Sequence, residues 1–115
     1  MNRQKEIVVC GREDILSQSI EYFLSEHEGW NVDSLAFQED TDEISRAIEA
    51  LQPDFLIIHE KCYLDRPKFP FQLLRNHPGM LLILLSLENN LMEVYSKQDI
   101  CVKDVSDLIS LIENK

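Results

Sequence analysis

The sequence predicts an α/β domain, a doubly wound, five-stranded parallel sheet with helices on both faces. Three observations carry this expectation. Pro53-Asp54-Phe55-Leu56-Ile57-Ile58-His59-Glu60 and Met80-Leu81-Leu82-Ile83-Leu84-Leu85-Ser86 are short, continuous apolar runs, the pattern of strands buried on both faces. Apolar stripes at helical spacing alternate with such runs along the chain. Right-handed crossovers and short connections then leave few arrangements besides the doubly wound one. At 115 residues, without linker, repeat or low-complexity segment, residues 1–115 read as a single domain. That length buries a core without disulfides or metal.

Taken in order, Ile7-Val8-Val9-Cys10 is a β-branched first strand ended by Gly11. Asp14 is placed to cap a helix whose apolar face is Ile15, Leu16, Ile20, Phe23 and Leu24, and Gly29 ends it. A weaker strand follows from Trp30 to Phe37, with Val32, Leu35 and Phe37 as inward candidates. Asp40 with Glu43 resembles a capping box, and the acids around it complement the dipole of a helix striped by Ile44, Ala47, Ile48 and Leu51. Pro53 closes that helix and opens the central strand.

Glu60 to Phe69 reads as a loop, and Phe71 to Asn76 as a short helix ended by Pro78-Gly79. After the Met80–Ser86 strand, a polar interval with Asn89-Asn90, Leu91, Met92 and Val94 has room for one short or irregular helix. Ile100-Cys101-Val102 is the last strand. Asp104 or Ser106 starts a final helix striped by Val105, Leu108, Ile109 and Ile112.

Composition narrows the function. A formal net charge of -10 repels phosphate backbones and anionic lipid, so neither nucleic acid nor a membrane is an expected partner. The longest apolar run, Met80 to Leu85, is far below the ~20 residues of a membrane helix. Cys10, Cys62 and Cys101 form no CxxC pair, and no signal peptide opens the chain, which fits a reducing, cytoplasmic location.

Three segments together resemble the receiver domain of response regulators, the CheY-like branch of the flavodoxin-like architecture. Leu51-Gln52-Pro53-Asp54 and its apolar strand are similar to that family's approach to the third strand. His77-Pro78-Gly79 through Ser86 is similar to the fourth strand, which ends on a Ser or Thr switch residue. Ile100-Cys101-Val102-Lys103-Asp104 is similar to the fifth strand with its terminal lysine. The resemblance implies a third strand ending on a phosphoaccepting aspartate, beside a Mg²⁺ ion held by that aspartate and by acids after the first strand. A hard divalent ion needs such oxygen ligands, and it neutralises the phosphoryl charge.

This chain departs from that pattern. The acceptor position is His59, which is a poor Mg²⁺ ligand and forms no acyl phosphate. After the first strand the usual acids align with Cys10-Gly11-Arg12, or with Gly11-Arg12-Glu13 one residue on. At most one carboxylate, Glu13, remains, and Arg12 places positive charge where the metal would sit. The resemblance therefore implies a pseudo-receiver whose degenerate pocket comprises His59, Arg12, Glu13, Glu60, Ser86 and Lys103, without cofactor, metal or catalysis. The interval from Ser86 to Lys103 is also too short for a full fourth helix and strand.

Each residue carries a plainer reading as well. His59 is either a phosphohistidine or ligand, or a locally hydrogen-bonded strand end; no histidine cluster supports the former. Glu60 follows His59 by one residue and so faces the other way. Arg12 is either an ion-pair partner of Glu13 or Glu60, or simply solvated. Ser86 lacks a base and an oxyanion site. The loop from Lys61 to Phe71 mixes Tyr63, Phe69 and Phe71 with Lys61, Arg66 and Lys68; it is a partner-binding loop, or Phe69 and Phe71 pin a short helix to the core, with Phe71 read as the core anchor and Tyr63 and Phe69 left open.

The function expected on this basis is a protein-binding regulatory module of bacterial signalling, acting through Val105, Ser106 and Leu108 on the last strand and helix. Its expected partners are another protein, its own effector domain or a second copy in a homodimer. One such setting is the positioning of a MinD-type ATPase of pilus assembly. The alternatives are an atypical phosphoaccepting regulator using Glu13 with His59 or Glu60, and a flavodoxin-like binder of a small ligand. Against the last, Gly11-Arg12-Glu13-Asp14 lacks the small residues that cradle phosphate.

Overall fold

A computed structural model describes the backbone of residues 5–11, 15–36, 41–59, 68–77, 79–86, 89–96 and 100–113, with side chains for all of these except 15–17, 36, 41, 100 and 101. The described residues form β1 (Lys5–Gly11), α1 (Ile15–Ser25), β2 (Trp30–Ala36), α2 (Thr41–Leu51), β3 (Phe55–His59), α3 (Phe69–Asn76), β4 (Leu81–Ser86), β5 (Leu91–Tyr95), β6 (Ile100–Asp104), a 3₁₀ turn at Val105–Asp107 and α4 (Leu108–Glu113). The strands make one mixed sheet in the order β2-β1-β3-β4-β5-β6. The four strands β2, β1, β3 and β4 are mutually parallel. β5 is antiparallel to both of its neighbours.

The expected five-stranded parallel sheet is thus corrected to six strands of mixed direction, and the expected short fourth helix is a strand. Connection length gives the physical reason. A crossover to a parallel neighbour takes a dozen or more residues, whereas an antiparallel turn takes only a few. Ser86 pairs with Leu91 and Tyr95 with Ile100, so only residues 87–90 and 96–99 connect these strands. Asn90 adopts φ 54°, a left-handed conformation that Asn tolerates in tight turns. Its side-chain amide donates to Asp104 Oδ1 at 3.1 Å, and its carbonyl accepts from the Val105 N–H, also at 3.1 Å. The turn before β5 is thereby tied to the end of β6.

Alternation along the strands builds two cores. On one face Val8, Cys10, Leu56, Ile58, Leu82, Leu84 and Tyr95 pack with Ile44 and Ile48 of α2 and Phe69 and Leu73 of α3. On the other, Ile7, Val9, Phe55, Ile57, Ile83, Leu85, Met92 and Val94 pack with Leu24 of α1 and Leu108 and Ile112 of α4. Helices therefore cover both faces, as the apolar stripes predict. β3 is buried on both sides because it lies between β1 and β4, inside the sheet.

Some details differ from the sequence reading. Phe23, assigned to the apolar stripe of α1, is exposed, and Leu51 lies at the rim. α3 begins at Phe69, so Phe69 fills the core while Phe71 turns outward against Tyr95, their rings edge to face with centroids 5.0 Å apart. Val32 and Leu35 both pack inward, but against opposite cores, as the strand period of two requires. Asp14, Phe37, Asp40 and Tyr63 lie outside the described residues.

The amino ends of the strands are clamped. The Glu6 N–H donates to Asp54 Oδ2 at 3.0 Å, the Asp54 N–H to the Glu6 carbonyl at 2.8 Å, and the Leu81 N–H to the Asp54 carbonyl at 2.9 Å. Asp54 is therefore a structural residue at the joint of β1, β3 and β4. Lys5 Nζ donates to the carbonyls of Ile112 and Glu113, satisfying the last turn of α4 and fastening it beside β1.

Candidate functional site

The carboxyl ends of the parallel strands are where an open α/β sheet places its chemistry. Here β1 ends on Gly11, β3 on His59 and β4 on Ser86. His59 is half-buried and closes the central strand, as the sequence predicts. Arg12, Glu13 and Glu60 lie outside the described residues.

Register decides which of the remaining residues share a site. His59 pairs with Leu85, Leu85 with Met92, and Met92 with Lys103. Residues paired across a sheet present side chains to the same face, so these four form one row on the α1/α4 side. Three strand spacings put Lys103 about 14 Å from His59 along that row. The two positions between them are fully buried apolar side chains. Ser86 belongs to the neighbouring row with Leu91 and Asp104, and by alternation it faces the opposite side, toward α2 and α3.

The described members of the expected pocket are therefore separated. In a five-stranded parallel sheet the last strand would lie beside β4 and bring its lysine to the Ser86 end. Insertion of β5 moves Lys103 outward by a full strand. Ser86 is engaged locally, its Oγ accepting from Asn89 Nδ2 at 3.3 Å, which makes it part of the turn into β5. Among the described residues, no group of three or more His, Cys, Asp or Glu side chains comes together as a metal site.

At the end of β6 the electrostatics are local. The Ser106 N–H donates to Asp104 Oδ1 at 2.9 Å and caps the 3₁₀ turn. This backbone hydrogen bond, supported by the Ser106 hydroxyl and the Asn90 amide, holds the Asp104 carboxyl below its ordinary pKa. Of the expected interaction residues, Ser106 is exposed and Val105 is half-buried against the α1/α4 core. Leu108, 6% exposed, belongs to that core, so of these three residues Ser106 is the exposed one, with Asp107 exposed beside it.

Two surface features escape the sequence reading. On α1 and the start of β2, His27 stacks on Trp30 with centroids 4.3 Å apart, and Phe23 meets the His27 ring edge-on. On the α2/α3 face, Leu91 and Val102 stand exposed on the sheet, and Phe71 stands exposed on α3. The signal for the second was the alternation of Leu91 to Tyr95, readable only once that segment is a strand. A cleft of about 420 Å³ opens at the opposite, amino end of the sheet, lined by residues that include Gln52, Asp54, Asn76 and His77.

No protein-family model matches this chain, and none of the curated proteins matches it. Among solved structures it is similar to an alanine–glyoxylate aminotransferase from Nostoc sp., at 15% identity and a TM-score of 0.50, over 71% of this chain. The chain spans 23% of that aminotransferase. At this identity the likeness is one of fold, a mixed α/β sheet layered between helices.

Proposed function

We propose that this chain is a receiver-like module without phosphoryl chemistry, a pseudo-receiver that works by binding protein. The observation that carries the reading is the row His59–Leu85–Met92–Lys103. An imidazole ends the central strand where a receiver needs a carboxylate. The terminal lysine is removed from it by two buried apolar side chains and a strand that receivers do not have there. The order β2-β1-β3-β4, with α1 and α4 on one face and α2 and α3 on the other, supports the underlying kinship. Its chemistry is thus recognition, with a protein partner or an attached effector domain as ligand and the cytoplasm as its setting.

The test is intact mass after incubation with acetyl phosphate and Mg²⁺, with a phosphorylatable receiver as positive control. The native chain is expected to stay unmodified. A His59→Asp variant is expected to stay unmodified too, because a carboxylate on β3 does not return Lys103 to its neighbourhood. A phosphoryl adduct on the native chain would overturn the proposal in favour of an atypical phosphoacceptor.

A further inference from the structure

We infer that the outer side of α1 and the turn into β2 dock a basic peptide segment of a partner protein, through exposed aromatic rings set beside carboxylates. The inference rests on the binding-module reading and names the surface and the chemistry of the partner. α1 packs into the α1/α4 core through Ile20 and Leu24. Tyr22 and Phe23 stand outside that contact, 69% and 54% exposed. Tyr22 and Glu26 are four residues apart, as are Phe23 and His27, so the two pairs run side by side past the end of the helix. The Phe23 and His27 rings meet edge to face with centroids 6.2 Å apart, and His27 lies flat on Trp30 at 4.3 Å. The turn holds this row in place, the His27 N–H donating to the Leu24 carbonyl and the Trp30 N–H to the His27 carbonyl. His27 Nδ1 is buried and finds no hydrogen-bond partner among the described residues, so the stack orients the ring. The rings are thus pre-organised at the edge strand of the sheet, and little ordering is left for a ligand to impose.

Charge selects the occupant. Glu26 and Glu28, both exposed, stand on either side of His27 in sequence. From Glu13 to Ser45 the chain carries ten acids and neither lysine nor arginine. Lys5 pairs with Trp30 across the sheet, but its ammonium is taken by the carbonyls of Ile112 and Glu113. Arg46 belongs to α2, which packs on the opposite face. The rings therefore lie in a negative field that no neighbouring cation of the described residues neutralises. A guanidinium or ammonium is attracted to the face of a Tyr or Phe ring, and a guanidinium also donates to a carboxylate. Tyr22 with Glu26, and Phe23 with the turn that carries Glu26 and Glu28, offer both contacts in adjacent positions. Nucleic acid, anionic lipid and a second copy of net charge -10 all meet repulsion here, whereas a basic peptide is drawn in.

The test is fluorescence anisotropy of a dye-labelled dodecapeptide of alternating arginine and glycine, titrated with the whole chain at low and moderate salt. A glutamate–glycine peptide is the control. Saturable binding of the arginine peptide that weakens with salt is expected, with none of the glutamate peptide. Tyr22→Ala and Phe23→Ala should each weaken binding about tenfold or more, and Glu26→Lys should do the same. Glu49→Lys makes the same change of net charge on exposed α2, across the sheet, and should weaken binding less than threefold. All four side chains are exposed, and circular dichroism verifies that each variant keeps its fold. A chain that binds no arginine peptide overturns the inference. Binding indifferent to both aromatic substitutions overturns it too, and so does an equal loss from Glu49→Lys, which would mean a long-range attraction of the net charge. None of these results touches the pseudo-receiver reading, which the phosphorylation measurement decides independently.

Discussion

Alanine substitutions from Leu91 to Val94 are expected to cost stability with a period of two, Tyr95 being buried in the opposite core. Met92 is fully buried in the α1/α4 core. Met92→Ala removes three heavy atoms at about 0.8 kcal/mol each and leaves a partly relaxed cavity, about 3 kcal/mol together. Val94 faces the same core and loses two methyl groups, about 2 kcal/mol. Leu91 loses as many atoms as Met92, but it stands on the open face at 40% exposure, which limits the cost to about 1 kcal/mol. Glu93→Ala forfeits one hydrogen bond from Tyr95, again about 1 kcal/mol. Urea unfolding followed by circular dichroism reads the series. With a slope of about 1.5 kcal/mol per molar, Met92→Ala lowers the midpoint by about 2 M and Leu91→Ala by about 0.7 M. A helix over the same residues would group Leu91 with Val94 and Tyr95 and spare Met92. A cost at Leu91 or Glu93 equal to that at Met92 would refute the strand, and with it the displacement of Lys103 on which the functional proposal rests.

Two further outcomes follow from particular groups. The pKa of Asp104 is lowered in the folded chain, chiefly by the Ser106 N–H. Its stabilisation is therefore fully present above the ordinary carboxylate value of 3.8 and is lost as pH falls through the lower folded value. An NMR titration of the Ser106 amide should give a midpoint below 3.8, a shift that Asp104→Asn abolishes; an ordinary midpoint would mean that the cap does not form in solution. Gln52 ends α2 at φ 47°, a conformation that costs a side-chain-bearing residue but not glycine. Gln52→Gly should therefore leave stability unchanged or raise it by up to about 1 kcal/mol, read as a higher melting temperature, and a loss above about 1 kcal/mol would contradict that backbone assignment.

The features legible along the chain are those that depend on near neighbours. The continuous apolar runs at Phe55–Ile58 and Leu81–Leu85 could bury both faces only inside a sheet, and the stripes of Ile44 with Ile48 and Leu108 with Ile112 could bury only one side of a helix. The position of His59 at the end of the central strand followed from the same runs. Which strand lies beside which depends instead on pairings between segments distant in sequence. Leu91, Met92, Val94 and Tyr95 satisfy a helical spacing and a strand alternation about equally well, and pairing with β4 on one side and β6 on the other resolved them in favour of the strand. Phe71, read as the core anchor, points outward and Phe69 fills the core in its place, because α3 starts at Phe69. The separation of Lys103 from Ser86 and His59 has the same origin. A residue's place along its own strand is written in local pattern, but its distance from a residue on another strand is set by how many strands the sheet inserts between them.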